Sequence, residues 1–203
     1  MQIGTGVKFA LGENPKSVYN DRAETPITRM ATAAMIREGL AKAQRYQQEL
    51  DFAESDPDEH MPDYDAKSEA LLPLLERDVK AHFHCHRADD ICTAIRIAKE
   101  FNLDYVIIHG TEGHLIADIL AEENAPVIAG PILCDRCKPE MQHLTISGPS
   151  IMQKAGVKLA LCTDHPVIPI QYLPTTAALA VKGGMQREDA LYAITCLLYT
   201  SDA

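Results

Sequence analysis

The chain has 203 residues, enough for one well-buried domain, and its 46% hydrophobic and 24% charged composition is that of a folded globular protein rather than a disordered, collagenous or membrane chain. A formal net charge of -10, with no long basic block, disfavours the phosphate attraction on which nucleic-acid binders rely, so no nucleic acid is expected as a partner. The beginning, MQIGTGVKFALGENPK, lacks a basic segment leading into a long apolar run, and no window holds the roughly eighteen apolar residues of a membrane span, so the sequence reads as cytoplasmic with no membrane partner.

Short apolar runs alternate with amphipathic stretches, the pattern of a parallel sheet with helical crossovers. Val7 to Leu11 reads as the first strand. A long helix follows from Arg29 to Glu54, with Thr25 and Pro26 ahead of it as start signals. The acidic, Pro-containing ESDPDEHMPDYD reads as a solvated loop before a helix over Lys67 to Leu75. Val79 to His86 is a predicted strand, Asp89 to Phe101 a helix with Ile91, Ile95 and Ala98 on one face, and Tyr105 to His109 a strand buried on both sides. His114 to Glu123 is the next predicted helix, Val127 to Ala129 a short strand, Pro149 to Ala155 a helix and Lys158 to Cys162 the last strand. Two helices, Thr175 to Lys182 and Arg187 to Thr195, close the chain across a Gly183-Gly184 break.

Five strands are too few for a closed barrel of eight, so the fold expected is α/β, a partial (β/α)8 barrel. An open doubly wound sheet tolerates five strands and stands as the structural alternative, although no GxGxxG or GxxxxGK[ST] phosphate loop supports it.

Six cysteines in a chain this long do not make the dense framework of a secreted mini-domain, so reduced thiols are expected. Cys134 and Cys137 form a lone CxxC in CDRCKP with no second pair to complete a zinc site. A thiol oxidoreductase fails for want of a helix beginning at Cys134, since KPE follows the pair.

The chemistry-bearing residues fall at the carboxyl ends of predicted strands, where folds of this kind keep their sites. In VKAHFHCHRADD, His82, His84 and His86 alternate by two and so share one face of a strand. His109 ends YVIIH, and Thr163, Asp164 and His165 end LALCTDH. Imidazole nitrogens and a carboxylate oxygen suit zinc and other divalent first-row metals, which lower the pKa of bound water. His60 and His143 lie in predicted loops and His82 lies deeper on its strand, so these three carry no expected role.

The motifs HCHRADD, VIIHGTEGH and CTDHP, in that order, resemble strands 5, 6 and 8 of the amidohydrolase superfamily, most of all its imidazolonepropionase-like and prolidase-like members. GVKFALGENPK resembles the strand 4 region, and LPTTAALAVKGGMQREDALYAIT the stretch before the family's usual end; the resemblance runs from about Gly6 to Thr195. It implies a divalent metal cofactor, zinc being the first choice and one or two ions the number. It implies His84 and His109 as metal ligands, Asp164 as both ligand and proton-transferring catalytic residue, and Lys8 as a lysine that some members carboxylate to bridge two metals. His86, Arg87, His114, His165 and Glu13 are the substrate-side candidates, a neutral His to polarise a carbonyl and Arg87 to hold a carboxylate.

What the resemblance implies is a hydrolase that cleaves a carbon-nitrogen bond, amide or cyclic amide, in a small-molecule substrate, in a monomer or a homo-oligomer. The alternative is a non-catalytic metal-binding or interaction protein that keeps the strand-end histidines. The family's first two ligands are an HxH on strand 1, and no such strand precedes Val7, so residues 1–195 are expected to be the carboxyl-terminal part of the barrel, strands 4 to 8, without activity of its own. CLLYTSDA departs from the family's continuation, so 196–203 reads as a non-native tail.

Overall fold

The structure, a computed structural model, describes residues 6–56 and 58–197. Of the tail expected over 196–203, residues 198–203 lie outside the described residues. The elements run β1 (Gly6–Ala10), α1 (Glu13–Asn20), α2 (Arg29–Ser55), α3 (Ala66–Glu69), α4 (Leu72–Leu75), β2 (Lys80–Cys85), α5 (Ala88–Glu100) and β3 (Tyr105–His109). After a 3-10 turn at Gly113–Ile116 come α6 (Ala117–Glu122), β4 (Val127–Ala129), a 3-10 turn at Pro139–Met141, α7 (Gly148–Lys154) and β5 (Leu159–Leu161). A 3-10 turn at Ile170–Tyr172 leads into α8 (Leu173–Lys182) and α9 (Arg187–Ala193).

All five strands are parallel and pair in the order β1-β2-β3-β4-β5. This order separates the two architectures left open by the sequence. A doubly wound sheet reverses direction at a switch point, which puts early strands in the middle. Here every crossover steps one strand the same way, and right-handed crossovers that all step one way lay their helices on a single face, as in a barrel wall.

The two faces of the sheet are accordingly different. Phe83, Cys85, Ile107, Val127, Ala129, Leu159 and Leu161 alternate toward the helices and join the main core with Leu40, Leu74, Ile91, Ile97 and Leu120. Val106, Ile128 and Ala160 project to the opposite face, where Ile108, Cys162 and Leu197 pack on them. The period of two that put apolar residues on both faces is what made these strands read as continuous apolar runs.

α2 begins where Thr28 accepts a hydrogen bond from the Ala31 N–H at 3.1 Å, a side-chain cap two residues after the Thr25-Pro26 start signal. It buries Ala33, Leu40, Ala43 and Tyr46. The helix expected over Lys67 to Leu75 is two separate turns, α3 and α4. Pro73 explains the break: it has no N–H to continue the ladder, and its ring would meet the carbonyl four residues back. α1 was not expected; ENPKSVYN is polar, buries no residue and carries a proline, so it has no periodic signature. The helix expected over His114 to Glu123 is a 3-10 turn followed by α6. No helix among the described residues is long and apolar enough to cross a membrane.

Candidate metal centre

At the carboxyl end of the sheet, β2 and β3 bring three histidines together. His84 stands on β2 in register with Ala10 of β1 and Ile108 of β3, and His86 follows just past the strand end. His109 pairs with Cys85 and Ala129, whose side chains face the helices. Strict alternation would send its ring to that side too. Instead the residue has a left-handed backbone, φ 75°, and its ring lies 4.5 Å from that of His84 and 4.7 Å from that of His86. The His84 and His86 rings are 5.1 Å apart. The departure from alternation is what completes the cluster.

All three side chains are buried, and their ligand-type nitrogens lie within 4.8 Å of one another. Burial pushes His84 down to about 3, with the charges of His109, Lys8 and Lys138 acting in the same direction. Burial likewise pushes His86 down to about 2, helped by His109, His84 and Lys138. His109 is lowered by burial against the opposing pull of Gly130 and Asp164. The imidazoles are therefore neutral at physiological pH, the form that ligates a metal.

The hydrogen bonds around them fix some of the nitrogens. His109 Nδ1 lies 2.6 Å from the Gly130 carbonyl oxygen, which can only accept, so Nδ1 carries the proton and Nε2 keeps its lone pair. His84 Nε2 lies 2.9 Å from Asn14 Nδ2 on α1, and Lys138 Nζ donates to Asn14 Oδ1 at 2.5 Å, which sets the amide. Displacing that amide, or turning it over so that Oδ1 meets an Nε2–H, releases a His84 lone pair for an ion. His86 Nδ1 lies 2.7 Å from Thr111 Oγ1. A buried set of neutral nitrogens with their outer partners in place is a donor set that can hold a metal ion.

Asp164 follows β5 with a left-handed φ of 53°, and its charge reaches His109. Lys8 lies on β1 in register with His82, exposed, and its charge reaches both His84 and His109. Three of the other candidates, Arg87, His114 and Glu13, have partners of their own. Arg87 makes a two-pronged contact to Asp89, 2.9 and 3.0 Å. His114 Nδ1 meets the Thr111 carbonyl oxygen at 3.0 Å. His165 is exposed beside Asp164. The Glu13 carboxylate lies 3.4 Å from Arg29 and 3.5 Å from Lys16.

Four residues at the centre were not singled out from the sequence: Asn14, Thr111, Lys138 and Glu140. Each lies in an irregular segment or the unexpected α1, where no periodicity marks a side chain as inward-facing. Glu140 is the most buried of them, at 1% exposure. Its Oε2 accepts the Glu13 N–H at 2.8 Å. A Cβ at Gly12 would lie 2.5 Å from that same oxygen, and φ there is 83°, so glycine is what allows the backbone to come this close. Glu112, also buried, accepts the Ala88 N–H at the start of α5 at 2.8 Å and pairs with His143 at 2.7 Å, giving a partner to a histidine for which no role was expected.

No protein-family model and no curated protein matches the sequence. Among solved structures, the crystal structure of an amidohydrolase from Thermotoga maritima matches over 97% of this chain at 42% identity with a TM-score of 0.93. The chain spans 51% of that protein's length. With the five-stranded parallel sheet this is consistent with a partial, barrel-like amidohydrolase fold, and the similarity supports the amidohydrolase superfamily as the one to which the architecture is related.

Proposed function

We propose that the chain is the strand 4 to 8 part of a metal-dependent amidohydrolase, with His84 and His109 among the ligands of a divalent ion, zinc first, and Asp164 as the residue that moves protons. The observation that carries this reading is the convergence of buried, neutral His84, His86 and His109 at the end of a sequentially ordered parallel sheet. A divalent ion held there supplies Lewis acidity, polarising a carbonyl and lowering the pKa of water at an open position.

The protein's own residues do the rest. The Asp164 carboxylate takes one proton from the attacking water and returns it to the leaving nitrogen, so a C–O bond forms and a C–N bond breaks with the proton count balanced. His109 is held by Gly130 in the tautomer that presents Nε2. In this reading Lys8, whose charge reaches His84 and His109, would help hold a second ion if it were carboxylated. In this reading Arg87, His114 and His165 are the residues on the substrate side. The substrate class is a small molecule with an amide or cyclic amide bond, as in the imidazolonepropionase-like and prolidase-like groups that the motifs resemble.

The test is zinc content and amide hydrolysis by the protein produced from the whole reading frame, beside Asp164→Asn. Turnover falling at least ~100-fold in the variant, with metal retained, supports the reading. Metal binding without turnover in either protein leaves the non-catalytic binding alternative. Absence of metal from both refutes the metal centre.

A further inference from the structure

Glu140 has one carboxylate oxygen accounted for and one not. Oε2 accepts from Glu13 N–H, whereas Oε1 is fully buried and has no hydrogen-bond partner among the described residues. The groups facing Oε1 are His86 Nε2 at 3.7 Å and Lys138 Nζ at 3.9 Å. Leaving a buried carboxylate oxygen without a donor is costly, and the 3.7 Å approach to His86 is one that a small ring movement closes to a hydrogen bond. A carboxylate only accepts, so the nitrogen it faces must carry the proton. On the other side of the ring, Thr111 Oγ1 at 2.7 Å from Nδ1 then donates its hydroxyl proton to the remaining lone pair.

We propose that Glu140 is a positioning residue that fixes His86 as the Nε2–H tautomer, and that with Nδ1 taken up by Thr111 this histidine flanks the metal centre instead of ligating it. The inference rests on the metal-centre reading above for its second half, while the tautomer stands without it. It separates three histidines that geometry alone treats alike: His86 has Thr111 at Nδ1 and the Glu140 carboxylate facing Nε2 at 3.7 Å, whereas His109 Nε2 has no hydrogen-bond partner among the described residues. It also gives the 138–140 segment one task through two contacts, since Lys138 acts on His84 through Asn14 as Glu140 acts on His86. The same carboxylate ties down the start of α1, which carries Asn14.

The experiment is a two-bond 1H–15N correlation spectrum of the metal-free chain, with His86 assigned by His86→Asn. The expected pattern is Nε2–H. Glu140→Gln keeps size and an acceptor for Glu13, and should shift the pattern to Nδ1–H or a mixture, while circular dichroism stays that of the parent. Thr111→Val, which removes the hydroxyl and leaves Glu140, should keep Nε2–H. An Nδ1–H pattern in the parent, or a pattern unmoved by Glu140→Gln, overturns the assignment.

Cobalt(II) titration of the protein produced from the whole reading frame then tests the second half: His86→Asn should bind within about threefold of the parent, and His109→Asn at least ~10-fold more weakly. Equal losses in the two variants make His86 a ligand and overturn it. If the parent binds no cobalt, the functional reading has failed, and the spectra still decide the role of Glu140.

Discussion

Acidifying the metal-free protein from pH 7 to pH 5 should remove several kcal/mol of stability, and the histidine cluster sets the amount. In the fold His84 titrates at about 3 and His86 at about 2, against an ordinary 6.5. Above pH 6.5 both are neutral whether the chain is folded or not, so nothing is lost. Below it the unfolded chain takes up protons that the folded chain refuses, so the unfolded state binds more protons and stability falls as pH falls. The loss accumulates until the folded values are reached, near pH 3. At pH 5 each histidine lies about 1.5 units below the ordinary value, worth about 2 kcal/mol, or about 4 kcal/mol for the two. His109 is lowered as well and adds in the same direction. Against a total of ~5–15 kcal/mol for a domain this is a large share. Urea denaturation at pH 7, 6 and 5 with a chelator present measures it, and the range above pH 5.5 keeps ordinary carboxylates out of the slope. His86→Asn should remove about a third to a half of the slope. A midpoint that does not move between pH 7 and 5 would refute the argument that these rings are buried and neutral.

Gly130→Ala should be among the more damaging single-methyl changes, because the new Cβ would lie 2.1 Å from the Cys162 carbonyl oxygen at a backbone φ of 141°. Overpacking and backbone strain together cost about 2–6 kcal/mol, read as a fall in the urea midpoint, and cobalt affinity should fall with it because the Gly130 carbonyl holds His109. Thr28→Ala removes the one side-chain cap of α2 and should cost about 1 kcal/mol with cobalt affinity unchanged. Zinc should raise the thermal midpoint of the chain, by an amount equivalent to about 2.7 kcal/mol at a hundredfold excess over the dissociation constant, and His109→Asn should cut that rise by about half or more.

The strands were legible in the sequence because each is a short apolar run, and two of them, Tyr105–His109 and Val127–Ala129, begin and end where the pattern does. Helices α2 and α5 were legible because they are long and amphipathic or capped. Their arrangement was not: nothing in a single strand says which neighbour it pairs with, so the choice between a barrel wall and a doubly wound sheet waited for the order of the strands. His84, His109 and Asp164 were marked by polar side chains ending apolar runs. Glu140, Lys138 and Asn14 carry no such mark, because in irregular segments burial depends on where the loop is led by the rest of the fold. Thr111 shows the same limit inside a motif, since nothing in VIIHGTEGH marks its hydroxyl as one that meets a histidine of the neighbouring strand.

The way His109 is held shows why the site cannot be assigned to any one strand. Period-two alternation would place its ring among Cys85 and Ala129 on the helix side; the left-handed backbone carries it to the histidines instead. That conformation costs a non-glycine residue of order 1 kcal/mol or more, so it persists only where the surroundings over-determine it. Here the restraint is the 2.6 Å contact of Nδ1 with the Gly130 carbonyl just past β4, and Gly130 in turn lies against the Cys162 backbone leaving β5. Cys162 donates its own N–H to the Ala129 carbonyl at 2.9 Å, which locks the two strand ends together. The open nitrogen of a β3 residue is thus positioned by β4 and β5, and Asp164, two residues beyond Cys162, is carried on the same frame. A change that loosens the β4–β5 pairing should therefore shift the His109 ring and the Asp164 carboxylate together, even though neither residue is touched.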